Sequence, residues 1–423
     1  MEYLGLKHIK GSLVTVEGVQ NPPPKYDEIV EIKINANKRL GRVLSVAGDR
    51  AVILVFEGTS GMSLTNTATK FTGRLLDMPL STELLGRTFD GGGRPIDGLG
   101  QVFSNQRRQI FGTPINPVKR VCPRNYIHTG ISAIDALVTL VRGQKLPIFS
   151  VDGLPHNQLA AQISGSANAG NDNFAVVFGA MGVSHDTAEF FRNFFKESGV
   201  VDRTIMYINH AFDPPGERLT TPRFALTAAE YLAFDLDYHV LVILTDMTQY
   251  AEAVREISSS NGEIPSRKGY PGYLYSDFAS IYERAGIVKG SSGSLTQIPI
   301  LTMPNGDISH PIPDLTGYIT EGQIVFDQTL HQKGIYPPIN VLSSLSRLMK
   351  NGVKHPKLAA QLLSKYAKVA DVRAMAQIIG EEDLSKNEKN LLDFGRRFEG
   401  QFLNQQVYRS LDETVKIGLE LLC

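Results

Sequence analysis

A strand–turn–helix segment near the middle of the chain carries residue types that nearly match a phosphate-binding loop. The apolar run Pro147 to Val151 leads through a turn into a segment that favours a helix. The pattern of such a loop is Gly-x-x-x-x-Gly-Lys-Ser/Thr, placed between a strand and a helix. This segment keeps the small hinge residue Gly153, and the four defining positions are occupied by Ser150, Pro155, His156 and Asn157.

These replacements remove the chemistry of the loop. The missing Lys would reach the β- and γ-phosphates, and the missing hydroxyl would ligate magnesium. His156 is mostly neutral near pH 7, Asn157 offers only an amide, and Pro155 has no backbone N–H to donate. Asp152 adds a negative charge that repels phosphate. The segment alone fits an ordinary strand–turn–helix or a P-loop fold that no longer hydrolyses nucleotide.

Two other positions bear on nucleotide chemistry. The apolar run from Val240 ends at Asp246, and in a P-loop fold an acid at that place helps to hold magnesium. An Asp after a strand is more often a helix cap, but the altered loop upstream favours the magnesium-binding interpretation. A hydrolytic enzyme also needs a carboxylate to orient water, and Val183 and Ser184 stand where it is expected. We expect the next acid, Asp186, to cap the following helix.

A cation is offered elsewhere, on the hydroxyl-rich stretch from Pro337 to Arg347. A lone Arg on such a stretch is usually a surface or salt-bridge residue. However, an Arg on a Ser-rich turn also suits a phosphate contact, because the guanidinium forks onto phosphate oxygens. Arg347 is therefore a candidate phosphate ligand.

These residues must be positioned by a chain of 423 residues, which is long enough for two or three domains. The N-terminal residues 1–72 alternate in short runs between turns, which predicts a small β-barrel or sandwich. Residues 73–350 alternate apolar strands with helices, which predicts a mostly parallel sheet covered on both faces. Residues 351–423 are helical, and a capping box at Ser385 and Glu388 begins one helix. The strands predicted in the first two regions are 12–16, 29–34, 41–46, 51–56, 147–151, 174–178, 204–208, 240–244 and 298–303, and a helix is predicted from the apolar spacing at 131–141.

Composition excludes several classes of protein. Lys plus Arg and Asp plus Glu both total 43, so no global field attracts nucleic acid or an anionic membrane. Cys122 and Cys423 are far apart and form no metal-type cluster, and we expect no metal site in this chain. No apolar run approaches the ~18 residues needed to span a bilayer, so membrane association would have to run through partners.

Many strings along the chain, taken in order, resemble one family. The chain is similar, along essentially its whole length, to the non-catalytic B (regulatory) subunit of the vacuolar/archaeal-type rotary ATPase. Residues 337–346 are similar to the signature shared by rotary-ATPase α, β, A and B subunits. The other strings that carry the resemblance are 56–61, 129–135, 142–147, 153–157, 245–248, 271–275 and 311–318.

The resemblance implies an architecture and a role. It implies a β-barrel (1–72), a RecA-like α/β domain with a degenerate P-loop (73–350) and a C-terminal helical domain (351–423). It also implies a ring of three B subunits alternating with three catalytic A subunits, with central-shaft and peripheral-stalk subunits. The ring would lie on the cytoplasmic face of a membrane that it contacts only through the ion-translocating sector.

The resemblance also implies roles for single residues. Arg347 matches the family's arginine finger, which reaches the γ-phosphate of ATP on the A subunit. Ser344 and Ser346 match the serines that shape its turn at the nucleotide interface. No tightly bound cofactor is expected, and Mg-ATP or ADP would sit at the interface with A.

Two other hypotheses remain open from the residues alone. A self-sufficient P-loop ATPase would need a cation near position 156 and a catalytic acid, and neither is evident. A scaffold that holds nucleotide as a structural ligand is favoured by Asp246 and opposed by Asp152, His156 and Asn157.

Overall fold

The N-terminal part of the chain is a closed six-stranded barrel. The structure is a computed structural model that describes residues 4–19, 23–167, 173–349 and 355–422. The barrel strands are β1 (Leu4–Lys10), β2 (Leu13–Glu17), β3 (Glu28–Ile34), β4 (Asn37–Ala47), β5 (Arg50–Val55) and β6 (Thr67–Leu75). Their order is β1–β2–β5–β4–β3–β6, and each neighbouring pair is antiparallel.

Alternating apolar side chains explain the barrel. Val14, Val16, Val30 and Ile32 are fully buried in its core, and their neighbours along β2 and β3 are less so. The sequence pattern predicted β2 to β5 and left open a barrel or a sandwich; the structure has the barrel. It also adds β1 and β6, which close the barrel and which the sequence analysis missed.

The remaining strands differ in length, and the longer ones are almost wholly buried. They are β7 (Asp77–Pro79), β8 (Thr88–Asp90), β9 (Arg107–Gln109), β10 (Arg120–Val121), β11 (Ile148–Ser150), β12 (Phe174–Val183), β13 (Thr204–His210), β14 (His239–Thr245), β15 (Ile287–Val288), β16 (Ser294–Thr302), β17 (Gly322–Val325) and β18 (Leu345–Ser346). All five strands predicted for this region are present as β11, β12, β13, β14 and β16.

The α-helices alternate with these strands and then form the C-terminal part alone. They are α1 (His156–Ser166), α2 (His185–Glu197), α3 (Pro215–Glu230), α4 (Met247–Ser260), α5 (Leu274–Tyr282), α6 (Pro311–Ile319), α7 (Gln328–Gln332), α8 (Pro356–Ile379), α9 (Lys386–Arg397) and α10 (Leu411–Leu422). The predicted capping box of Ser385 and Glu388 is present at the start of α9.

By its internal contacts the chain divides into two compact units. The first comprises Met1–Pro114, Val176–Asp235 and Val242–Arg284. It holds the barrel, the parallel strand pairs β12–β13 and β13–β8, and helices α2 to α5.

The second unit comprises Ile115–Ala175, Leu236–Leu241 and Ala285–Cys423. In it β11 lies between β16 and β17 and runs parallel to both, while β18 pairs antiparallel with β17. Helices α1, α6 and α7 and the C-terminal helices α8 to α10 belong to this unit. The predicted fold class, a barrel followed by an α/β domain and a helical domain, is confirmed.

Two local predictions were wrong. The apolar spacing at 131–141 forms only a short π-helix, Ala133–Leu137, because the backbone leaves the helical conformation at Val138, where φ is −137° and ψ is 46°. Asp186 does not cap α2, since the helix begins one residue earlier and Ser184 is its N-cap. Asp186 lies in the first turn, where its charge favours the positive end of the helix dipole.

Candidate functional site

The degenerate loop lies where ligands are bound in folds of this class. Strand β11 pairs through Ile148 with Ile300 of β16 and with Ile324 of β17, and all three strands run in the same direction. The turn at 151–155 follows the carboxyl end of β11, and α1 begins directly after it. In open α/β sheets, ligands bind outside the carboxyl ends of the strands. The position is therefore suitable, and the chemistry of the turn decides what it can hold.

Two backbone donors of the turn, the N–H groups of Leu154 and His156, are bound within it. The N–H of Leu154 donates to the carbonyl of Val151 at 3.1 Å, and the N–H of His156 donates to the carbonyl of Leu154 at 2.9 Å. Pro155, between them, has no N–H to offer. Gly153 has a φ of +84°, and a Cβ there would meet open space, so glycine is needed for the conformation and not for a close approach. Three consecutive positions thus give no amide to a phosphate.

The side chains of the turn also bind one another. Ser150, which is fully buried, forms a hydrogen bond of 3.0 Å between its Oγ and Nδ1 of His156. Asp152 is exposed beside it, and Oδ1 of Asn157 is buried and accepts no hydrogen bond from the residues that the structure describes. A triphosphate with magnesium does not fit residues of these types, because the turn offers a carboxylate where phosphate needs a cation.

Helix α1, which follows the turn, is hydrogen-bonded to Tyr336, the residue directly before the Ser-rich stretch 337–347. The hydroxyl of Tyr336 donates to Oε1 of Gln162 at 3.0 Å, and the N–H of Tyr336 donates to Oδ1 of Asn404 at 3.2 Å. Burial raises the pKa of the Tyr336 phenol, so this group remains a hydrogen-bond donor at all physiological pH values. The entrance to the Ser-rich stretch is therefore fixed on two sides.

Asp246 and Val183 belong to the first unit. Oδ1 of Asp246 accepts a hydrogen bond of 2.8 Å from the N–H of Thr248 and caps α4. Val183 is the buried last residue of β12, and the Ser184 hydroxyl caps α2. Neither Val183 nor Ser184 can orient water. The helix-capping alternative for Asp246 is seen directly, and its magnesium-binding role stays a prediction.

The second group of predicted residues lies together on one turn in the second unit. The Ser344 hydroxyl accepts from the N–H of Val325 in β17 at 2.9 Å and donates to the carbonyl of Asn340 at 2.7 Å. Ser346, which is buried, donates from its hydroxyl to the carbonyl of Thr139 at 2.8 Å and accepts from Nε2 of Gln144 at 2.9 Å. Both serines therefore fix the turn, and their hydroxyls bind this chain and not an outside group.

Arg347 follows these serines and is exposed. Its N–H donates to the carbonyl of Glu321 at 2.9 Å, and its Nη1 donates to the carbonyl of Thr320 at 3.3 Å. A guanidinium carries five N–H donors in a planar fork. A single long bond to Thr320 leaves most of that fork directed at solvent.

Two other kinds of site, a metal cluster and a membrane-spanning helix, are absent from the described ranges. In those ranges no group of three or more His, Cys, Asp or Glu side chains could hold a metal ion. Of the helices that the structure describes, none combines the length and apolar character needed to cross a bilayer.

Family models match most of the chain. The model of the ATP synthase alpha/beta family nucleotide-binding domain matches residues 130–346, and that of the family's beta-barrel domain matches residues 7–73. The model of the C-terminal domain of V and A type ATP synthase matches residues 348–423. The chain belongs to the V/A-type B subunits of the ATP synthase alpha/beta family.

Full-length relatives agree with this membership. The chain is 57% identical to the V-type ATP synthase beta chain 2 of Clostridium tetani, over all of this chain and 94% of that protein. It is 54% identical to the B subunit of the A-type ATP synthase of Aeropyrum pernix, over all of this chain and 93% of that protein. A solved ATP synthase subunit, NeqB from Nanoarcheaum equitans, is 40% identical and superposes with a TM-score of 0.79 over 93% of this chain and 98% of that one. Like its relatives in the family, the chain is a subunit of a rotary ATPase with a nucleotide-binding domain.

Sequence reasoning missed the residues that support the arginine turn. These are Thr139, Gln144, Lys145, Glu321 and Gly322, all of which contact the turn or the chain beside it. One signal was present, because Lys145 directly precedes the apolar run that forms β11, and Lys is almost never fully buried unless it is paired. Its partner is distant in sequence, so no local pattern could name it.

Proposed function

We propose that this chain is the regulatory, non-catalytic B subunit of its ATPase head and that Arg347 acts on nucleotide held by a neighbouring catalytic A subunit. The observation that carries the proposal is the exposed guanidinium of Arg347, presented on a turn whose serines are already bound. The loop at Ser150 to Asn157, in contrast, has its Leu154 and His156 donors turned inward and no cation.

The chemistry of phosphoryl transfer explains why one arginine suffices. Charge spreads over the γ-phosphate oxygens in the transition state, and a forked guanidinium stabilises it without any bond to the protein being made or broken. Magnesium and the attacking water would be held by the A subunit, where an intact loop and a catalytic carboxylate are expected. Ser344 and Ser346 serve the reaction by fixing the turn at the nucleotide interface.

The assembly that follows is a ring of three B and three A subunits around a central shaft, steadied by peripheral stalks. This chain contributes one residue to each shared site and holds no tightly bound cofactor of its own. The ring supports ATP-driven or ATP-synthesising ion transport from the cytoplasmic face of the membrane, which it meets only through the ion-translocating sector.

The test is the ATPase rate of the head reassembled with its A subunits. For Arg347→Ala we expect kcat to fall by about 10³–10⁵-fold, the range measured for arginine fingers supplied in trans, with the ring still formed. Arg347→Lys keeps the charge and loses the fork, so it restores only part of the rate. Arg396→Ala is the matched control, because Arg396 is also exposed and pairs only with Glu381 on the surface in the described structure.

Three results would point elsewhere. A near-normal rate for an assembled Arg347→Ala ring contradicts the proposal. Robust ATP turnover by the isolated chain supports the self-sufficient ATPase. Calorimetry that finds micromolar binding of Mg-ATP to the isolated chain, roughly −8 kcal/mol, supports the nucleotide-holding scaffold.

A further inference from the structure

Arg347 is positioned by the residues that precede β17. Its N–H binds the carbonyl of Glu321 at 2.9 Å, and its guanidinium binds the carbonyl of Thr320 at 3.3 Å. Both carbonyls belong to the short link between α6 and β17. The place of the guanidinium therefore depends on what holds that link.

Lys145 holds the link with three contacts to one residue. Its N–H donates to Oε2 of Glu321 at 2.8 Å, its Nζ lies 2.9 Å from Oε1, and its carbonyl accepts from the N–H of Glu321 at 3.1 Å. Lys145 is only 2% exposed. Backbone and side chain of Glu321 are thus fixed by one buried residue, and the carbonyl that receives the Arg347 amide is fixed with them.

Gln144, the residue before Lys145, fixes the other side of the turn that carries Arg347. Nε2 of Gln144 donates to the Ser346 hydroxyl at 2.9 Å and to the carbonyl of Glu321 at 3.2 Å. Oε1 of Gln144 accepts from the N–H of Val141 at 2.9 Å, so the amide cannot rotate freely. Gln144 and Lys145 together join β17 to β18 immediately before Arg347.

Stability alone does not require this arrangement. A buried ion pair is often replaced by apolar side chains of similar volume without loss of stability. A bidentate contact that also includes the backbone fixes the position of Arg347 more precisely. Such precision matters because a catalytic group misplaced by about 1 Å can lose on the order of 10²-fold in rate.

We propose that Lys145 is a positioning residue, which holds Glu321 so that Arg347 meets the transferred phosphate of the neighbouring subunit. The inference rests on the proposed function of Arg347. Lys145 itself touches no nucleotide, and it acts through the backbone of Glu321.

The test is a double-mutant cycle in the assembled head. We expect Lys145→Met to lower kcat by about 10- to 100-fold, with KM for ATP and ring assembly unchanged. In the Arg347→Ala background the same substitution should cause no further loss, because the group that it positions is absent. Lys333→Met is the control, since Lys333 pairs with Glu399 of the C-terminal part, and no hydrogen bond or ion pair among the described residues joins it to Lys145, Glu321 or Arg347.

If Lys145→Met fails to assemble, the double variant Lys145→Met/Glu321→Gln removes both charges, leaves no unpaired buried ammonium and is put through the same cycle. A wild-type kcat for the assembled Lys145 variant, or an equal fall in both backgrounds, overturns the inference and leaves the role of Arg347 standing. A near-normal rate for Arg347→Ala itself overturns the proposed function instead, so the two failures are distinguishable.

Discussion

Two short segments of the second unit, 150–157 at the end of β11 and 340–347 around β18, are both polar turns, yet they present opposite surfaces. In the first, Ser150 binds His156, and the amides of Leu154 and His156 bind carbonyls of the same turn. In the second, Ser344 and Ser346 satisfy the backbone and a cation remains exposed. The difference teaches that a turn can act on a ligand only with the polar groups left over once its own backbone is satisfied.

The length of the side chain explains which polar groups remain available to a ligand. The imidazole of His156 is short enough to fold back onto Ser150, at 3.0 Å. The guanidinium of Arg347 extends past its own turn, and one of its donors meets the carbonyl of Thr320 at 3.3 Å. We therefore expect changes that move the arginine turn to reduce activity, and changes within the degenerate loop to leave it intact.

The largest effect after loss of the arginine itself is expected from Gly322, which pairs with Ser346 across β17 and β18. Its φ is +139°, and a Cβ at this position would overlap the carbonyl oxygen of Leu345. Gly322→Ala must therefore push β18 away from β17 and carry Arg347 with it. We expect kcat of the assembled head to fall by about 10²-fold, measured as ATPase rate per ring.

Gly334 serves as a control that separates two effects of Gly322→Ala, the steric clash with β18 and the backbone strain of a non-glycine residue at positive φ. Gly334 also has a positive φ, +74°, but a Cβ there meets nothing within 4 Å. Gly334→Ala should cost some stability and little activity. An equal loss of activity in both variants would show that strain, and not the displacement of the arginine turn, is responsible.

Ser346→Ala should have an intermediate effect, because it removes two hydrogen bonds from a buried hydroxyl. The carbonyl of Thr139 loses its Ser346 donor, while Nε2 of Gln144 keeps its bond to the carbonyl of Glu321. A buried group left unpaired costs about 1–3 kcal/mol, so we expect the free energy of unfolding of the chain to fall by that amount. The measurement is denaturant unfolding, and kcat should fall less than in Gly322→Ala.

Ser343→Ala is the control for this prediction. Ser343 belongs to the same turn and is exposed, and its backbone N–H, which the substitution retains, binds Asn340. Unchanged stability is expected for it. If Ser343→Ala and Ser346→Ala lower stability equally, the buried contacts of Ser346 do not fix the turn.

Both segments could be located from the sequence. The loss of phosphate-binding groups in the degenerate loop could also be explained from it, but the residues that support Arg347 could not. The altered loop pattern and the run of serines before Arg347 are local, and the resemblance to rotary-ATPase subunits covered the rest of the fold. The supports of Arg347 are not local, since Lys145 and Glu321 pair with each other but precede two strands, β11 and β17, that are far apart in the chain. The π-helix at Ala133–Leu137 was missed for a different reason, because its apolar spacing is that of an α-helix and does not show that the backbone leaves the helical conformation at Val138.

The smallest effect is expected from His156→Ala in the degenerate loop. The substitution breaks the hydrogen bond to Ser150, and a bond of this kind contributes about 1 kcal/mol to stability. The ATPase rate of the assembled head should not change, because the loop offers no cation, and its Leu154 and His156 amides are already bound.

The informative comparison is between His156→Ala and Arg347→Ala in the same ATPase assay. If His156→Ala lowers kcat as far as Arg347→Ala does in an intact ring, the degenerate loop takes part in the chemistry and the contrast between the two turns is wrong. If it lowers only the free energy of unfolding, the loop is retained for its fold while the arginine turn acts on the partner's nucleotide.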